Sequence, residues 1–171
     1  MEKRINNSTL MEPFILLYDG HTKFFNNVLD SMTDEDAQNR LNTQANHVAW
    51  IAGSLVFERY ELARLLDNGP DAFTAKHTSH NLFKDHKGLQ NVEYPSINEF
   101  KKDWEIISPV LKNILPNLTN AQLNSPDPFG MPGGDYTLFD AVTFCIDRES
   151  YCIGQIGLYR RLLGYEAMKY D

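Results

Sequence analysis

Four stretches of this chain carry apolar residues three and four positions apart, and no stretch alternates apolar with polar residues as a half-buried strand does. That pattern leaves little besides helix packed on helix. The first stretch runs from residue 10 to residue 32, with Phe14, Leu17, Tyr18, Phe24, Phe25, Val28 and Leu29 on the helical period and Gly20 interrupting its middle. Thr33-Asp34-Glu35-Asp36 then ends it or opens a short turn, its carboxylates suiting a helix N-terminus. The second stretch, 43 to 68, uses Trp50, Ile51, Leu55, Val56, Leu62 and Leu65 and stops at Asn68-Gly69-Pro70.

The third stretch opens at Ser96-x-x-Glu99, which reads as a capping box, and carries Phe100, Trp104, Ile107, Val110, Leu111 and Ile114 before stopping near Pro116. Residues 124 to 135 hold three prolines and three glycines, which forbid regular structure. Thr137-x-x-Asp140 caps the last stretch, which runs to Gly164. The expectation is a single all-α domain over residues 1 to 171, a four-helix bundle. The polar connection 69 to 95 between its second and third long helices is long enough to be a crossover.

A net charge of −7 and the absence of any Lys/Arg run argue against nucleic acid, whose phosphates need clustered cations. The longest N-terminal apolar burst, Phe14 to Tyr18, is far short of a membrane span, and no signal-peptide pattern is present. On one helix Cys145 and Cys152 would stand about 10 Å apart, too far to bond to each other. A cytoplasmic protein with reduced thiols is expected.

Two helix faces carry the polar residues from which chemistry could come. In the second stretch His47, Ile51, Ser54, Glu58 and Leu65 share one seam, so an imidazole, a hydroxyl and a carboxylate lie among core residues. In the last, Arg148, Cys152 and Gln155 fall at i, i+4 and i+7 and project from one face. Histidines at i and i+4 clamp a metal, but arginine is a permanent cation and a very poor ligand. Arg148 on an inward face needs an anion, and Glu58 is the candidate within the chain; a carboxylate or phosphate ligand is the other possibility. The connection 69 to 95 carries His77, His80 and His86 at spacings that match no standard metal pattern, and reads as a solvated segment.

The phrase Arg148-Glu149-Ser150-Tyr151-Cys152-Ile153-Gly154-Gln155-Ile156 resembles the closing helix of the DinB/YfiT-like family, usually His-Glu-x-x-His-x-Gly-Gln-Ile. Trp50-Ile51-Ala52-Gly53-Ser54-Leu55 is similar to that family's Trp-x-x-Gly-His-Leu, and Gly134-Asp135-Tyr136-Thr137-Leu138 and Gly164 flank the last helix as they do there. The resemblance implies a four-helix bundle, commonly a homodimer, in a superfamily of divalent-metal enzymes that includes thiol transferases and hydrolases. Its three ligand positions fall on Ser54, Arg148 and Cys152, and none is histidine.

Two functions follow as expectations. One is a family member that has lost the three-histidine site, binds no cofactor, and serves as a small-ligand-binding or structural protein. The other is an active enzyme using Cys152 as thiol with His47 or Arg148, or zinc or nickel bound through a rearranged set, since a nearby base and cation can lower a thiol pKa. Local capping by His47 and an inert, buried Cys152 are the plainer roles for those two residues.

Overall fold

The computed structural model describes residues 9 to 66, 80 to 83, 88 to 89 and 92 to 170. Four long helices dominate it: α1 (Glu12–Val28), α3 (Val48–Leu66), α5 (Ile97–Ile114) and α7 (Leu138–Leu162). Among the described residues three single-turn α-helices lie between them, α2 (Asp34–Ala37), α4 (His80–Phe83) and α6 (Asn120–Leu123), and a 3-10 turn, Leu115–Asn117, follows α5. No strand occurs among the described residues, where Pro126 and Thr137 form an isolated bridge. Among the described residues no helix is long and apolar enough to cross a membrane.

The helix starts follow from short polar side chains that satisfy free backbone N–H groups. Ser96 and Thr137 each accept from the backbone N–H three residues on, while Glu99 and Asp140 reach back to the cap residue's own N–H, so both expected boxes form. Thr119 and Gln122 make a third, on the short α6, which the apolar pattern does not announce. Thr33 caps α2, so the acidic run after α1 becomes a helix start of its own. The α3 helix begins at Val48, five residues later than periodicity suggests, because His47 supplies the cap: its Nδ1 accepts the Trp50 N–H at 3.1 Å.

At the other end of α7, Gly164 takes φ +89. Its own N–H returns to Arg161 O and the Tyr165 N–H to Arg160 O, a pairing that only a left-handed residue at that position allows.

Each long helix packs against two others, α1 on α5 and α7, and α3 on α5 and α7. Contacts fix their directions. Phe14 meets Phe139, His21 meets Glu149 and Val28 O accepts from Arg160, so α1 and α7 run the same way. Asp19 pairs with Lys112 whereas Thr22 O accepts from Trp104, so α5 runs against α1. Gly53 faces Phe100 and Arg59 reaches Ser108, so α3 and α5 are parallel neighbours.

The core between them is aromatic at its centre, with Phe25 stacked on Trp104 at a centroid distance of 4.1 Å. At Gly53 the ring of Phe83, from α4, occupies the room that a side chain would take. A methyl there would lie 2.1 Å from Phe83 Cζ and 2.8 Å from Phe100 Cε1. Helix propensity favours alanine over glycine by about 1 kcal/mol, but displacing a buried ring costs more. Gly53→Ala is therefore expected to lose about 1–3 kcal/mol of unfolding free energy. A urea midpoint equal to that of the wild type would show that Phe83 yields freely.

Candidate functional site

Charged residues meet at mid-height of the helices in two adjoining clusters, one wholly inside and one at the edge of the core. Both come from neighbouring pairs in sequence, Glu58-Arg59 on α3 and Arg148-Glu149 on α7.

The inner cluster is built on Arg59 and Glu149, which are 2% and 4% exposed. Arg59 Nε donates to Glu149 Oε1 at 2.5 Å and Nη2 to Oε2 at 2.8 Å, the two-pronged geometry that makes such pairs strong. Nη1 donates to Thr22 Oγ1 at 2.9 Å and to Ser108 Oγ at 2.7 Å. The guanidinium is also sandwiched between the rings of Tyr18 and Trp104, 3.9 and 3.4 Å from their centroids. On the far side of the carboxylate His21 Nδ1 lies 3.2 Å from Glu149 Oε2.

Burial by itself would raise the Glu149 carboxyl, and the Arg59 charge with its hydrogen bonds reverses that, holding it below the usual range. Tyr18, buried and donating to Ser108 O, has its phenol pushed well up, first by burial. Every polar group in this cluster thus has a partner on another helix, which ties α1, α3, α5 and α7 at one level.

The outer cluster holds the positions to which the family resemblance assigns ligands. Arg148 Nη1 donates to Glu58 Oε2 at 2.8 Å and Nη2 to Ser54 Oγ at 3.0 Å. Ser54 Oγ in turn donates to Ile51 O at 2.8 Å. Cys152, one turn beyond Arg148, feels its charge, and Cys145 is close enough to Glu58 to share a hydrogen bond. Burial raises the thiol pKa of Cys152, with Arg148 only partly opposing it, and raises that of Cys145; at both thiols Glu58 and Glu149 add to the rise. Glu58 is itself pushed up to about 7, by burial first and against the pull of Arg148.

Ser54, Glu58, Arg148 and Cys152 therefore converge, with Gln155 half-buried on the next turn of α7. His47 stands apart. It caps α3, its ring lies edge-on to Tyr94 at 4.6 Å, and burial together with the positive Arg40 lowers it to about 4. His77 and His86 lie outside the described residues, and of His80 only the backbone of α4 is described.

A divalent metal does not fit this donor set. A guanidinium can neither bind a cation nor lose its charge, the Ser54 hydroxyl is committed to Ile51 O, and burial keeps the Cys152 thiol protonated. Among the described residues no group of three or more His, Cys, Asp and Glu side chains could hold an ion.

An open cleft of about 440 Å³ lies on the other side of the molecule, between α1 and α5. Tyr18, Thr22, Trp104 and Ser108 form its inner wall, and Lys23 and Lys112 stand at its rim. Asn26 Oδ1, in the same wall, is buried without a hydrogen-bond partner.

Sequence patterns did not single out Arg59, His21, Thr22 or Ser108, and took Glu149 only as context. A signal existed. Arg59 falls on the stripe Ala52, Leu55, Leu62, Ala63, and Glu149 on the stripe Val142, Ile146, Ile153, Ile156. A permanent charge in the middle of an apolar stripe must meet an opposite charge from another helix.

The arrangement of helices is shared with a solved structure, that of a conserved protein from Enterococcus faecalis, to which this chain is similar with a TM-score of 0.67. The match covers 91% of this chain and 97% of that one at 16% sequence identity, a likeness of fold alone. No family model matches the chain, and no curated protein does.

Proposed function

We propose that this chain is a DinB/YfiT-like four-helix bundle, with a crossover joining its parallel neighbours α3 and α5, whose three-histidine metal site has been replaced by a hydrogen-bonded guanidinium. It acts as a small-ligand-binding or structural protein rather than as a metal enzyme. One observation carries this reading: Arg148 bridges Ser54 and Glu58, so two of the three positions where the resemblance expects histidines are in direct contact, and Cys152 stands one turn away. The guanidinium supplies the positive charge that a cation would bring and satisfies the same wall of α3.

The cleft between α1 and α5 gives a small molecule a place against Tyr18, Trp104 and the unpartnered Asn26 Oδ1. The competing use of Cys152 as a nucleophile lacks its base, because His47 is engaged with Trp50 and Tyr94.

Metal analysis of protein purified without a histidine tag tests the reading directly. Stoichiometric zinc or nickel lost on Cys152→Ala would overturn it. A gain-of-function variant tests the placement of the three positions. Ser54→His with Arg148→His and Cys152→His is expected to bind one nickel per chain by titration calorimetry. A folded triple variant that takes up no nickel would mean that the three positions do not share a point.

A further inference from the structure

The cleft between α1 and α5 is lined by two kinds of polar group, those already engaged with their neighbours and those that are not. The Thr22 and Ser108 hydroxyls donate to the carbonyls of Tyr18 and Trp104 and accept from Arg59, so the inner wall is engaged. At the rim Asp19 holds Lys112 at 2.9 Å.

The other groups have no such partners. Asn26 Oδ1 is buried without a donor, and an acceptor in that state costs folding free energy until something donates to it. Lys23, one turn before Asn26 on α1, and Glu105, on α5, are both exposed and line the same cleft. Although opposite in charge, they form no ion pair with each other or with any other described residue. Beside them Pro109 sits inside α5 and has no N–H, so the Glu105 carbonyl lacks the donor that position 109 would ordinarily supply.

These four groups define the chemistry of what would fill the cleft. Asn26 Oδ1 and the Glu105 carbonyl call for N–H donors, the Glu105 carboxylate for a cation, and Lys23 for an anion. A simple amine would leave Lys23 without an anion, and a simple carboxylate would be repelled by Glu105 and leave both acceptors empty. A quaternary ammonium has no N–H to give. A primary ammonium with a carboxylate on the same small molecule answers all four, since the ammonium brings three donors and a charge. The remaining lining, Tyr18, Trp104 and Pro109, suits an apolar side chain, and about 440 Å³ is the volume of a small-molecule site.

We propose that the cleft between α1 and α5 binds a free α-amino acid, its ammonium between Asn26 and Glu105 and its carboxylate on Lys23. The inference rests on the small-ligand-binding reading above and names the class of ligand.

Titration calorimetry of the full chain with L-leucine should show one molecule bound per chain. Isoamylamine, which lacks the carboxylate, and isocaproate, which lacks the ammonium, should each bind about tenfold more weakly or worse. Lys23→Gln and Glu105→Gln, exposed changes whose folding circular dichroism can check, should each weaken leucine by a similar factor. In the amide NMR spectrum of the wild type the Asn26 side-chain signal should move as leucine is added. Four results overturn the proposal: no binding of L-leucine at millimolar concentration, binding that either analogue matches, binding that either substitution leaves untouched, or an Asn26 amide that does not move. A chain that fails in any of these ways yet holds no metal keeps the proposed function, with another ligand or a structural role. Stoichiometric metal lost on Cys152→Ala overturns that function instead, and leucine titration of the cleft is read separately from it.

Discussion

Glu149→Gln is expected to lower the unfolding free energy by about 3–5 kcal/mol. The substitution keeps the size and shape of the side chain and removes only its charge. Arg59 is then left as a guanidinium 2% exposed, with two N–H groups pointing at a neutral amide. It cannot escape by losing a proton. The reverse change, Arg59→Met, should cost less, because a stranded Glu149 can neutralise itself by binding a proton and still has His21 beside it.

A methionine at position 59 also keeps a flexible side chain between Tyr18 and Trp104, where sulfur packs well on aromatic rings. The double variant R59M/E149Q should therefore be more stable than E149Q alone. Urea denaturation of the four proteins closes a double-mutant cycle. A loss in E149Q below 1 kcal/mol, or losses that simply add in the double variant, would mean that the pair is not coupled as the geometry indicates.

The outline of the fold was legible because it rests on local chemistry. Ser96 with Glu99, and Thr137 with Asp140, are short-range patterns whose bonds need no knowledge of the rest of the chain. The stops at Pro116 and Gly164 are of the same kind. The start of α3 was legible only in part: local capping by His47 was the plainer expectation and is found, while the helical period, taken back to residue 43, overran the cap, whose burial depends on Tyr94, 47 positions away. The sites divide along the same line. Ser54, Glu58, Arg148 and Cys152 could be grouped from helical spacing and from resemblance. Arg59 and Glu149, each hidden behind a more conspicuous neighbour, become a pair only when α3 and α7 are laid side by side.

Between pH 7 and pH 5 the stability of the wild type should be nearly flat, and two single substitutions should tilt it in opposite directions. His47 is buried, faces Arg40 and Tyr94, and has its pKa lowered to about 4 from an ordinary 6.5. As the pH falls through 6.5 the unfolded chain takes up a proton that the folded chain refuses, so this residue's contribution is fully present above that value and fades toward pH 4. Glu58 faces Arg148, Cys145 and Glu149 and has its pKa raised to about 7 from 4.5. Here the folded chain binds the proton first, so the contribution is full below pH 4.5 and is lost as the pH rises through 7.

Each effect has a limiting slope of about 1.4 kcal/mol per pH unit, and over most of the window they oppose each other. His47→Asn keeps an oxygen that can cap α3 but cannot titrate, and it leaves the Glu58 effect unbalanced. Its stability should rise by about 2 kcal/mol on going from pH 7 to pH 5. Glu58→Gln still offers Arg148 an acceptor and leaves the His47 effect unbalanced, so its stability should fall by a similar amount. Because each variant is compared with the wild type at the same pH, every other titrating group cancels. Urea denaturation across that range is the measurement, and curves for the two variants that run parallel to the wild type would show that neither group has its proton affinity altered by folding.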